Sequence, residues 1–193
     1  WHAPRGGLWM TLVLVNTLLP ESSLLVPMAA GVACCEALRY YGVQARIKWV
    51  NDVLADNKKI AGILTETFIG SRFAEEYILV GIGINVNNDE FPAELCEQAT
   101  SLKSCLDKEI SLAELAARLL VKLRWNIGLL YYEEARHLEN HGGIARRNKT
   151  LNENKPADEH LLLVSYKNLT DIFGRRVLFG FDVRENPQLE AKV

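Results

Sequence analysis

The chain has 193 residues, room for one domain and part of a second. Apolar residues make up 49% and charged residues 24%, which excludes a disordered chain. With 22 basic and 24 acidic side chains the net charge is −2, which argues against a nucleic-acid partner held by the whole surface.

Cys34, Cys35, Cys96 and Cys105 show no C-x-x-C spacing. They are expected to be free, mostly buried thiols of a cytoplasmic protein, not a zinc or redox motif. The longest apolar stretch, Leu24–Leu38, is bordered by Ser and Glu and is too short to cross a bilayer, so no membrane is expected. The opening Trp-His-Ala-Pro has neither Met nor a basic leader, so the N-terminus of the protein is expected upstream.

Residues 1–7 read as a loop and Leu8–Asn16 as a buried strand. Pro20–Ser23 is a turn with Ser22 or Ser23 as N-cap. A helix over Leu24–Tyr41 follows, with Pro27 in its first turn and Gly42 just past its end. Its Ala, Gly and Cys content suits close packing on a sheet. Val43–Trp49 is a strand, Val53-Leu54 a short extension and Asp56-Asn57 a hairpin turn. Lys58–Phe68 and Tyr77–Val86 are two more strands, and Ala99–Leu102 is a polar turn. Ser111-x-x-Glu114 is a capping box that opens a long helix to about Leu138, stopped by Gly142-Gly143. Residues 145–160 are a polar linker. Leu161–Tyr166 and Val177–Val183 are apolar bursts, read as strands around a turn at Phe173-Gly174. The order is α+β, a mixed or antiparallel sheet packed by helices.

Chemistry concentrates in three places. Alternation puts Lys48 on the face opposite Ile47 and Trp49, a point charge suited to a carboxylate or phosphate, with Asn51 and Asp52 at the same strand end. Gly81 and Gly83 share one face of a strand and leave it bare, as Gly62 does on its own, so a flat ligand or another strand can approach the backbone. Asn85 offers an amide at the end of that strand. Lys58-Lys59 reads as a solvated turn. His137 and His141 stand at i and i+4 without the Glu of a zinc motif, so no metal site is expected.

Taken together, K-W-V-N-D (48–52), K-K-I-A-G-I-L-T-E (58–66), G-I-G-I-N (81–85) and A-T-S-L (99–102) stand in the order and spacing of the biotin protein ligase family, which the chain resembles from Trp1 to about Leu138. The resemblance implies a class II synthetase-like catalytic domain, lacking its N-terminal part, over residues 1–144. A connecting segment at 145–170 and the beginning of a small SH3-like domain at 171–193 would follow. It implies ATP, Mg²⁺ and biotin as ligands and a two-step reaction through biotinyl-5′-AMP to a lysine of a biotin carrier domain, such as that of acetyl-CoA carboxylase.

By the same resemblance Lys48 is catalytic, holding the biotin carboxylate and the α-phosphate. Asp52 orients Lys48 or the incoming amine, or caps a turn. Gly62, Gly81 and Gly83 wall the biotin rings. Asn51, Lys59 and Asn85 serve ATP, and Trp1 covers both ligands. Two departures stand out: the family's Gly-Arg-Gly-Arg loop has no counterpart in these residues, and Val50 replaces a proline. A lipoate or octanoate ligase or transferase on the same scaffold, and an inactive ligand-binding domain, are the alternatives. Pairing of sheet edges into a homodimer is left open.

Overall fold

The computed structural model describes residues 3–71, 75–88, 90–141, 160–170, 176–179 and 189–192. Strands β1 (Leu8–Val15), β2 (Arg46–Lys48), β3 (Asp52–Ala55), β4 (Lys58–Ile69) and β5 (Glu76–Ile84) form one antiparallel sheet in the order β1-β5-β4-β3-β2. The helices are α1 (Pro20–Ser23), α2 (Val26–Arg39), α3 (Leu102–Leu106), α4 (Leu112–His141) and α5 (Leu161–Leu169). Strands β6 (Arg176–Phe179) and β7 (Leu189–Lys192) pair as a separate antiparallel ribbon. The α+β expectation holds. The linker expected from 145, the turn at Phe173-Gly174 and the stop at Gly142-Gly143 lie outside the described residues.

Three layers make the core. Ile78, Val80, Ile82 and Ile84 of β5, with Ala61 and Ile63 of β4, turn one face of the sheet inward. Helix α2 packs against β2, β3 and β4 on one side and against α4 on the other, so its residues from Ala29 to Cys35 are all buried. This double contact explains its small side chains: Ala, Gly and Cys let two neighbours approach one helix. Pro20–Arg39 together are long and apolar enough to cross a bilayer by length and composition, a longer stretch than Leu24–Leu38. Burial between sheet and helix accounts for that apolarity. Gly42 ends the helix with φ +92°, as its position past the last turn requires.

Several local expectations change. Strand β1 is an edge strand with alternating exposure, since the face carrying Val13 and Val15 has no helix over it. Ser22 and Ser23 lie inside α1 instead of capping it, and neither α1 nor α2 has a side-chain cap. The Glu134 carboxylate on α4 serves there, accepting the Leu19 N–H at 2.9 and 3.1 Å. Its neighbour Glu133, buried and 2.6 Å from Arg136, accepts the Leu161 N–H at 3.2 Å. Leu161–Tyr166 is therefore helix, not strand. Leu162, Tyr166 and Leu169 recur at helical spacing and are buried, and α5 packs on α2, α4 and β2. Part of the expected connecting segment thus belongs to the core. Val43–Trp49 shortens to three strand residues. Ala99–Leu102 leads into α3, capped by Ser101, whose Oγ accepts the Ser104 N–H at 3.1 Å.

All four cysteines are free; Cys34 and Cys35 are buried, Cys105 is half-buried and Cys96 is exposed. Burial, with smaller and opposing contributions from Arg39 and Glu36, pushes the Cys35 thiol from 9.0 up to about 12. Burial raises Cys34 as well. Burial also pushes the Tyr166 hydroxyl from 10.0 up to about 12. Each raised acid favours the neutral form in the native state only. The stability they contribute is complete below pH 9.0 and is lost as pH climbs toward about 12. Urea unfolding at pH 8 and pH 10.5 should show the loss, and a Cys35→Ala variant should lose less. Separately, Glu133→Ala should lower stability by about 1–3 kcal/mol, read from the urea midpoint, because it strips the N-terminus of α5 and removes the buried acceptor of the Arg136 ion pair.

Candidate active site

Strand register lines up one residue from each strand across the whole sheet. Trp9 of β1 faces Gly83 of β5, Gly83 faces Gly62 of β4, Gly62 faces Asp52 of β3, and Asp52 faces Lys48 of β2. This row runs along the floor of a cavity of about 680 Å³ on the face away from α2. Two glycines at its centre leave bare backbone. A large indole stands at one end, and a carboxylate and an ammonium stand at the other. Ile60, Asn85, Phe91, Leu95 and Gln98 are among the other walls.

Lys48 is exposed at the cavity while Ile47 is buried behind it, as alternation requires. Among the described residues the Lys48 ammonium makes no hydrogen bond or ion pair. Asp52 is engaged instead by Lys59, whose Nζ lies 2.6 Å from Asp52 Oδ1. Lys59 is solvated as expected, but it belongs to strand β4 and not to the turn. Its N–H donates to Gln98 O at 2.7 Å and its carbonyl accepts Thr100 N–H at 2.9 Å, so the 98–100 strap is stitched to β4 beside the cavity. Asn85 lines the cavity and accepts from Asn88 Nδ2 at 3.1 Å.

Other sequence candidates lie elsewhere. Asn51 is outside the lining; its Nδ2 donates to Ile63 O at 2.8 Å and its carbonyl accepts Ile63 N–H at 2.9 Å, which ties the turn after β2 to β4. Gly81 is on the same face as Gly83 but one pair further along, between Thr11 and Leu64, and does not line the cavity. Trp1 is outside the described residues. The Trp49–Val50 peptide bond is cis, and the Trp49 ring meets Tyr166 edge-on with centroids 6.2 Å apart.

Trp9, Phe91, Leu95 and Gln98 escaped the sequence reading. For Trp9 a signal was present in Gly6-Gly7. A Cβ on Gly7 would stand 2.2 Å from the Trp9 ring, so only glycine lets the indole fold back, where its Nε1–H donates to Pro4 O at 3.1 Å. The 91–98 wall has no regular pattern to read.

Among known proteins, the model of the biotin/lipoate A/B protein ligase family matches residues 1–85. The bifunctional ligase/repressor BirA of Bacillus spizizenii is 37% identical over 129 residues, 63% of this chain and 38% of that protein. Over residues 1–85 the chain is similar to the biotin/lipoate A/B protein ligase family. Three of the four motifs, those at 48–52, 58–66 and 81–85, fall inside the matched span, and so do Trp9 and every other residue of the row. A biotin–[acetyl-CoA-carboxylase] ligase of Mycobacterium tuberculosis is 34% identical over 107 residues, 52% of this chain and 36% of that one. The chain thus spans under two fifths of the length of these ligase-family relatives. In fold it is similar to the biotin protein ligase of Aquifex aeolicus in complex with biotin and ATP, with a TM-score of 0.68 at 23% identity over 100% of this chain and 68% of that one.

Proposed function

We propose that this chain carries the catalytic site of an ATP-dependent biotin–protein ligase. The observation that carries the reading is the row Trp9-Gly83-Gly62-Asp52-Lys48: a flat, bare floor ending in charge. Such a floor suits a fused bicyclic ring whose side chain ends in a carboxylate. Gly62 and Gly83 would lie under the rings. Gly81 would extend that wall only if the ligand reached the next cross-strand pair. Lys48 would meet the carboxylate.

In the first step a biotin carboxylate oxygen attacks the α-phosphorus of ATP. The bond to the β,γ-phosphates breaks and pyrophosphate leaves. Two anions must approach, so a cation at the α-phosphate lowers the barrier. The unpaired Lys48 ammonium is suited to that place, with Lys59 as a second cation nearby. Asn85 would contact the nucleotide end and Asn51 would keep the adjoining turn in place. Trp1 would cover both ligands.

In the second step a carrier lysine amine attacks the acyl carbon. The bond to AMP breaks and the amine releases a proton. Asp52, once Lys59 turns to phosphate, is placed to receive it. Among the described residues no three His, Cys, Asp or Glu side chains cluster. Mg²⁺ would therefore arrive on the ATP phosphates, neutralising charge there. A biotin carboxyl carrier domain is the protein partner, and the free thiols support a cytoplasmic site.

The decisive assay incubates the protein with MgATP, an apo biotin carrier domain and either biotin or octanoate, and reads the carrier mass. A biotin-sized gain is expected. Lys48→Ala should cut its rate by about 100-fold or more while leaving the thermal midpoint in place. An octanoyl gain would reassign the acid, and no gain with either would leave a binding domain. Gly83→Val should weaken biotin by about tenfold or more, and ATP less, in calorimetry. Equal losses would move biotin off the glycine floor.

A further inference from the structure

Asn88 is a buried polar side chain that the reaction above does not use. It is 5% exposed and stands behind the cavity wall, not in it. The hook after β5 that carries it is tied down at each step. Asn85 N–H donates to Ile60 O at 2.9 Å and Asn85 O accepts the Leu102 N–H at 3.1 Å. Val86 O accepts the Lys103 N–H at 2.7 Å, and Asn87 N–H donates to Gly6 O at 2.8 Å. Gly6 lies so close over the hook that a Cβ on it would stand 3.1 Å from Asn88 N.

An amide side chain has a donor end and an acceptor end of nearly the same shape, so its partners decide which end points where. Asn88 Oδ1 accepts the Val86 N–H at 2.9 Å. A backbone N–H can only donate, so the end of Asn88 beside it must be the oxygen. The NH2 of Asn88 is then on the other side, where it donates to Asn85 Oδ1 at 3.1 Å. That bond fixes the second amide in turn, because Asn85 must keep its oxygen toward Asn88. Asn85 belongs to the cavity wall, and its own Nδ2 makes no hydrogen bond among the described residues. One backbone N–H thus sets the polarity of a group at the cavity surface.

We propose that Asn88 is a positioning residue: it holds the Asn85 amide with its NH2 toward the cavity, so that this wall offers a donor to a hydrogen-bond acceptor of the nucleotide, a ring nitrogen or a phosphate oxygen. The inference rests on the placing of ATP at Asn85 proposed above. Lys48 and Lys59, which line the same cavity, also carry donors only, so the donor from Asn85 matches a ligand rich in acceptors. Asn88→Asp reverses the order. Its carboxylate still accepts the Val86 N–H, but its other oxygen can only accept. Asn85 must then turn its NH2 inward and its oxygen to the cavity, where it opposes the nucleotide acceptor.

Calorimetry on the whole protein with α,β-methylene-ATP, which cannot be cleaved at the α-phosphorus, tests this. Asn88→Asp should weaken the analogue by about tenfold or more. In an Asn85→Ala background the same change should alter binding by less than about twofold, since no amide remains to turn. Equal losses in the two backgrounds would mark a merely structural role and overturn the proposal. Side-chain amide exchange, followed by NMR, needs no variant. The Asn88 NH2 should be protected without nucleotide, and the Asn85 NH2 only with the analogue bound. An Asn85 NH2 that is protected beforehand, or indifferent to the analogue, would overturn the assignment. Neither measurement requires biotin transfer, so a failed ligase assay leaves both standing. A wild type that binds no analogue would remove ATP from this site, and the assignment with it.

Discussion

Gly62 stands opposite Gly83, and the rest of the site inherits its place from that pairing. Side chains alternate strictly along a strand, so a slip of one residue would send both glycines to the helix-covered face and bring Ile63 or Ile82 onto the cavity floor. The penalty for a slip is set on the other side of the sheet. There Ile63 pairs with Ile82 and Ala61 with Ile84, all buried in the core. A hydrophobic core thus fixes the register of a polar site it never touches. Lys48 and Asp52 are carried along, because β2 and β3 are paired to β4 in turn.

The remaining walls are held by backbone bonds. The 98–100 strap is tied to Lys59 by two hydrogen bonds, and Leu102 N–H then donates to Asn85 O at 3.1 Å. On the far side Asn87 donates its N–H to Gly6 O at 2.8 Å, which draws the segment carrying Pro4 toward the end of β5. Asn87 also grips both polar backbone groups of Ile110, its Nδ2 donating to Ile110 O and its Oδ1 accepting Ile110 N–H, each at 2.9 Å. The loops around the cavity are thereby joined to the start of α4. Charge is concentrated at one end of a mostly apolar basin, the arrangement needed to seat a ligand that is apolar at one end and anionic at the other.

Much of this was legible in the sequence because short-range rules governed it. The Asp56-Asn57 turn has both residues at positive φ, as a tight hairpin demands. Ser111 Oγ accepts the Glu114 N–H at 3.3 Å, as its capping box requires. The glycine spacing and the alternation around Lys48 followed from the two-residue strand repeat. The expectations that changed depend on distant partners. No local pattern says that Glu133 and Glu134 cap helices far away in the chain. Nor does one say that Asn51 turns its amide to β4, or that Leu161–Tyr166 meets a core that favours helix over strand. A six-residue apolar run fits either period, and burial against α2 decides between them.

Helix α2, enclosed between the sheet and α4, separates two ways of drawing a domain. The family match ends at residue 85, just after β5, and includes the sheet, α2 and all five residues of the row. Yet the outer face of α2 is covered by α4, which begins at Leu112. Cut at the end of the match, the chain would keep every group of the row and expose the middle of its own core. The smallest unit that carries the row is therefore shorter than the smallest unit that can exclude water from α2. During synthesis the sheet and α2 must wait for some thirty further residues of α4 before their packing can close.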